Sequence, residues 1–112
     1  MILDAALAAI ILDRHEPPAS PDTPTSAVAF LDCVAAHESH HNPRAENPRS
    51  SSSGLFGFID GTWRHYSRHI PKARRYGHAS KAPAAVQWQV ALLAVKWHGK
   101  HAWDGTHCGW GT

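Results

Sequence analysis

Residues 33–63 read CVAAHESHHNPRAENPRSSSSGLFGFIDGTW, and the reading of this stretch decides the fold. Upstream of Glu38, apolar residues fall at Ala27, Val28, Leu31 and Val34, the i, i+3, i+4, i+7 spacing of a helix face, and Glu38 continues the stripe. A carboxyl group set against apolar neighbours has a raised pKa, because loss of water disfavours its charged form. Such a group suits general acid catalysis near neutral pH. Asn42-Pro43 is expected to end the helix, since the residue before a proline is driven out of the α region. Glu38 then lies in the last turn, beneath whatever the next loop brings over it.

Two chemistries fit that glutamate. One is glycan cleavage, with Glu38 as acid and base. The other is zinc-dependent peptide hydrolysis, because His37-Glu38-Ser39-His40-His41 matches H-E-x-x-H. There, two histidines one helical turn apart hold the metal and the glutamate activates water. The plain alternative is a solvated glutamate in a chain with 10 histidines.

Composition narrows the field without choosing. At 112 residues, 43% hydrophobic and 18% charged, the chain is one globular domain with a small core. Its formal charge of +2 rises below pH 6.5 as imidazoles protonate, which suits an anionic polymer such as a cell wall. No Lys/Arg cluster with interleaved aromatics marks a nucleic-acid track, so no nucleic-acid partner is expected. Cys33 and Cys108 form no C-x-x-C pair. If bonded to each other they close a long loop and imply an oxidising compartment; otherwise they are two separate buried thiols.

Residues 1–14, MILDAALAAIILDR, are expected to form an apolar helix too short to span a bilayer, and Asp4 stands where a signal peptide would carry positive charge. Such a helix needs a partner surface, either its own domain, another protein or a second copy. Residues 15–25 read as a Pro-rich linker. The folded domain is then 26–112, with Thr25 or Ser26 capping the helix that carries Glu38. Asn42 to Gly54 is turn chemistry throughout, and Gly54 to Ile59 is a short apolar run. Asp60 or Thr62 is expected to cap a short helix with Trp63 and Tyr66 on one face. The basic segment that follows reads as loop, with Gly77 as a helix stop. A second long helix is expected over Ser80–His98, with Pro83 in its first turn, Gly99 closing it, and Val86, Val90, Leu93 and Trp97 as its core stripe. Trp103 is also expected in the core.

With these elements placed, the chain resembles the lysozyme superfamily, most of all the resuscitation-promoting-factor and soluble lytic transglycosylase domains. The resemblance runs over roughly residues 27–108 and rests on four blocks in order. Glu38-Ser39 closes a helix ahead of Asn42-Pro43. Gly54-Leu55-Phe56-Gly57-Phe58 leads to Thr62-Trp63, as G-G-L-Q-F-x-x-S-T-W does in the family. Gln87-Trp88-Gln89-Val90-Ala91 matches Q-x-x-V-A, and Gly99, Ala102, Trp103 and Cys108 match G-x-x-A-W with a following cysteine. In three places the chain departs. The family's glutamine over the cleft is Gly57, the cysteine that precedes the glutamate is replaced by His37 with Cys33 one turn earlier, and the second carboxylate of hydrolytic lysozymes is Ser52.

The resemblance implies a mainly helical α+β, lysozyme-like fold with a short β or loop element over a cleft, and a Cys33–Cys108 disulfide. It implies that peptidoglycan glycan strands are cut at the MurNAc-GlcNAc β-1,4 bond by Glu38 as the single catalytic residue, giving 1,6-anhydro ends without cofactor or metal. Asp60, the nearest other carboxylate, reads as structural. Ser39, Ser52, Phe58, Trp63, Tyr66 and Gln87 are the candidate substrate-binding residues. Phe58, Trp63 and Tyr66 could equally fill the core, Ser39 could orient Glu38 or simply close the helix, and the resemblance sets Gln87 towards the cleft floor. Three further readings stay open: a water-using muramidase, a virion structural or wall-binding module that has lost activity, and, in either case, a phage product that acts at the cell wall outside the cytoplasm.

Overall fold

The computed structural model describes residues 25–99 and 101–108. The expected apolar helix at 1–14 and nearly all of the linker at 15–25 lie outside the described residues, and so does the partner docking assigned to them. The described part is mainly helical. Helix α1 (Thr25–Ser39), helix α2 (Asp60–Ser67) and helix α3 (Ala84–His98) are joined by irregular chain, with short 3-10 segments at Ala79–Lys81 and His101–Thr106. Among the described residues β pairing is limited to two isolated antiparallel bridges, Glu46 with Ser53 and Ser53 with Phe58. The expected β element is therefore a twice-folded loop held by single bridges.

Helix α3 lies at the centre, packed against α1 on one side and α2 on the other. Its sequence, AAVQWQVALLAVKWH, is apolar nearly all round, as a helix buried on several sides must be. Trp88, Val90 and Ala91 are fully buried and Ala94 nearly so. Val86 and Val90 of the expected stripe are buried and Leu93 is half-buried, but Trp97 is 44% exposed and is not a core residue. The buried face is centred one position over, on Trp88, Ala91 and Val95. The helix begins at Ala84 rather than Ser80. Pro83 is its N-cap, with extended ψ of 153°, and the turn Ala79–Lys81 before it is a separate element. Gly99 ends the helix with φ of +68°, a conformation that costs glycine little. Gly77 stops no helix, because α2 has already ended at Ser67 and turns follow.

The run Gly54 to Phe58 feeds the same core. Leu55, Phe56 and Phe58 are buried, and the Phe56 ring meets Trp88 edge-on at 4.9 Å. Trp103 joins them, 5.6 Å from Phe58 and 6.0 Å from Phe30, and its indole N–H donates to the Phe56 carbonyl at 2.9 Å. Each such ring contributes roughly 1.5–3 kcal/mol by burial. Cys33 and Cys108 are joined in a disulfide that ties α1 to the segment after α3. No helix among the described residues is long and apolar enough to cross a membrane.

Candidate active site

Glu38 stands in the last turn of α1, as its spacing requires, but the helix ends sooner than Asn42-Pro43 demands. It stops at Ser39, and His40 and His41 follow in left-handed conformations (φ +53° and +62°). Their N–H groups still reach back into the helix, to the carbonyls of Ala36 and Ala35. Ser39 is buried and ties the helix end to the loop above it. Its hydroxyl lies 3.1 Å from the Ala35 carbonyl and 2.9 Å from that of Leu55, and it accepts the Asn42 N–H at 3.1 Å. Ser39 therefore closes the helix rather than orienting Glu38.

The loop folds back over Glu38 through side chains the sequence marks as turn formers. Asn42 and Asn47 each accept the N–H two residues on, at 3.0 and 2.8 Å. Ser52 donates to the Gly57 carbonyl at 2.9 Å, and Ser51 accepts the first N–H of α2 at 2.9 Å. Gly57 takes φ of +67° and sets its backbone against the acid: a Cβ there would lie 2.5 Å from Glu38 Oε1 and 3.2 Å from Ser52 Oγ. Main chain thus lies directly beside the Glu38 carboxyl, where any side chain at position 57 would collide with it. A crevice of about 190 Å³ results, lined by Glu38, Glu46, Asn47, Ser52, Ser53 and Gly57 among others. Glu38 stays open to solvent on its outer side. Burial of its inner flank raises its pKa above the ordinary glutamate value, against the opposing effect of His37.

Gln87 lies under the loop, fully buried. Its carbonyl oxygen accepts the Leu55 N–H at 2.7 Å, and its amide group donates to the carbonyls of Pro43 (2.9 Å) and Ala82 (2.8 Å). Every polar hydrogen of its side chain is used, so Gln87 supports the crevice from below. Phe58, Trp63 and Tyr66 are 3%, 0% and 6% exposed and belong to the core, away from the crevice. Trp63 donates to the Tyr76 carbonyl at 2.7 Å, and the Tyr66 hydroxyl lies 2.7 Å from His98 Nδ1. Of the candidate residues, the structure brings Ser52 to Glu38, sets Gln87 and Ser39 behind the loop, and places the three aromatics elsewhere.

Asp60 makes no side-chain cap, and the α2 N-cap is Ile59. Its carboxylate instead holds His78 Nδ1 at 2.6 Å, while His78 Nε2 holds Glu46 at 2.9 Å. Ser80 Oγ donates to the other oxygen of Glu46. Hydrogen bonds from Glu46 and then Asp60 raise the pKa of His78; those from Ser80 and then His78 lower that of Glu46. Glu46 is therefore a second carboxylate lining the crevice of Glu38, and Asp60 is tied to it through His78. Nothing local signals this network, since its members stand 18 to 34 residues apart.

The H-E-x-x-H match does not survive folding. His41 has left the helix, so it is not one turn beyond His37 on a common face, and its ring faces Asp32 at 4.0 Å. The one group of potential metal ligands among the described residues is His37 with Cys33 and Cys108, whose sulfurs are joined to each other. No protein family, curated protein or solved structure matches the chain. The reading of the site rests on its geometry and on the residue blocks described above.

Proposed function

We propose that this protein is a lysozyme-like, peptidoglycan-cleaving lytic transglycosylase with Glu38 as its catalytic acid and base. The observation that carries the proposal is Glu38 itself, a carboxyl with one desolvated flank, at the end of a helix, against the backbone of Gly57 in a crevice roofed by a rigid loop. Its raised pKa keeps more of it protonated near neutrality, as donation to a glycosidic oxygen requires. The conjugate base then takes the proton of the sugar's own 6-hydroxyl as that oxygen closes on the anomeric carbon, leaving a 1,6-anhydro end. Proton given and proton taken balance, and no water is consumed. The disulfide fits action outside the cytoplasm. A phage product carried to or released at the cell wall fits that setting.

One observation favours a second reading. Glu46, whose pKa hydrogen bonds from Ser80 and then His78 lower, lines the same crevice, which supports a hydrolytic route in which a second carboxylate directs water. Mass spectrometry of muropeptides released from purified peptidoglycan separates the two: anhydro ends are one water lighter than reducing ends. Glu38→Gln is expected to lower release by at least ~100-fold, the usual scale of general acid catalysis, with the melting temperature unchanged. Release at the wild-type rate by that variant would remove Glu38 from the chemistry.

A further inference from the structure

The charges of this chain are segregated. No Asp or Glu occurs from Gly61 to Trp103, a stretch that carries eight of the 11 Lys and Arg residues. The fold gathers part of that excess into one groove of about 510 Å³, which shares no residue with the crevice of Glu38. Arg64 and His65 of α2 and Arg68 at its C-cap form one wall, and Arg74 and Tyr76 from the following turns form the other. The walls are fixed to each other, because Trp63 of α2 is fully buried and donates to the Tyr76 carbonyl at 2.7 Å. Ala73, also fully buried, anchors the turn that presents Arg74.

Among the described residues no carboxylate pairs with Arg64, Arg68 or Arg74, and the only side-chain hydrogen bond of the three runs from Arg68 Nε to His69 at 3.4 Å. Three guanidinium groups on one groove repel each other until a ligand with several negative charges bridges them. The planar guanidinium fork matches phosphate oxygens in pairs. The lining also says what the ligand is not. Neither ring of the groove offers an open stacking platform for a nucleic-acid base, because Tyr76 has Arg75 over its face at 5.5 Å and His65 packs edge-on against Tyr66 at 4.8 Å. No aliphatic side chain lines the groove to enter a lipid layer.

We infer that this groove binds a phosphodiester polymer with a non-aromatic backbone, a polyol phosphate of the kind that decorates cell walls, and so holds the enzyme on its substrate. The choice of a wall polymer rests on the function proposed above; the anion chemistry of the groove does not. The test is binding of fluorescently labelled poly(glycerol phosphate) to the full chain carrying Glu38→Gln, which separates binding from cleavage. Adding Arg64→Gln and Arg74→Gln is expected to weaken binding on the order of tenfold or more and to flatten its salt dependence. Adding Lys72→Gln and Lys96→Gln instead removes the same charge outside the groove and is expected to change affinity by less than about threefold. Equal losses from both pairs would overturn the inference in favour of diffuse charge, and so would absence of binding. Tighter binding to duplex DNA of equal phosphate number, or to anionic vesicles, would overturn the choice of polymer. All four arginine and lysine positions are exposed, so circular dichroism should show each variant folded. Muropeptide release from polymer-free peptidoglycan is scored separately in the chain with Glu38 intact. Its absence would overturn the reading of Glu38 and leave the polymer result standing.

Discussion

Replacing Gly57 with alanine tests the geometry of the crevice more sharply than removing the acid does. Two terms can be worked out. The left-handed φ of +67° is strained for any residue with a Cβ, by roughly 1–2 kcal/mol. The added methyl would also lie 2.5 Å from Glu38 Oε1, closer than atoms tolerate, and a tight 3.1 Å from its Cδ. Because the clashing group is the far end of a flexible side chain, Glu38 can swing outwards, so the second term falls on function more than on stability. A domain of this size loses about 4–8 °C of melting temperature per kcal/mol, which predicts a fall of roughly 5–15 °C by differential scanning fluorimetry. Muropeptide release should fall much further, by roughly 100-fold, because the acid no longer sits in its desolvated position. Gly61→Ala is the control: its Cβ would meet nothing within 4 Å, and it lies in the first turn of α2, so stability should hold or rise slightly. Wild-type melting and wild-type release in Gly57→Ala would refute the claim that main chain at this position holds Glu38 in place.

Reduction of the Cys33–Cys108 bond should lower stability by about 4 kcal/mol, the chain-entropy value for a loop of 75 residues, read as a drop in denaturation midpoint with added reductant; titration of two free thiols in the untreated protein would contradict the bond. The His78 clamp makes stability depend on pH in two directions. The raised pKa of His78 makes its contribution complete below about 6.5 and lost as pH climbs through the folded value; the lowered pKa of Glu46 makes its contribution present above 4.5 and lost as pH falls. The difference in melting temperature between wild type and His78→Gln should therefore be largest between these limits, and a difference that grows into alkaline pH would overturn the assignment. Wall cleavage should persist in EDTA; loss of activity that zinc restores would bring metal chemistry back to the site.

Much of this was legible before folding, for reasons that can be named. Periodicity located α1 and α3, Gly99 marked an end, and Glu38 stood out because a carboxylate on an apolar stripe needs a cause. Periodicity failed to orient α3, whose apolar residues surround it, so Trp97 and Trp88 were indistinguishable until the neighbours were placed. The aromatic residues of the Gly54–Tyr66 region were ambiguous because a ring that stacks on sugar and a ring that fills a core are the same residue in sequence. The Asn-Pro pair marked a real break, but two histidines in left-handed conformation ended the helix first, and histidine's enrichment in that conformation is too weak to set a helix end from sequence. Glu46, His78, Asp60 and Ser80 converge only in three dimensions, and no spacing rule reaches across separations of 18 to 34 residues through turns and a helix. The same convergence brings Glu46, which the sequence did not single out, to the crevice of Glu38.

Gln87 has a consequence for how a ligand is met. One side chain of the central helix bonds the main chain at Pro43, Leu55 and Ala82, so both ends of a loop rich in serine and asparagine are pinned to the most buried element of the molecule. Such a loop cannot close over a ligand as a lid does without first breaking bonds inside the core. The crevice is therefore ready-made before a ligand arrives. Association then loses little entropy to ordering the protein, and discrimination between substrates falls to shape rather than to motion.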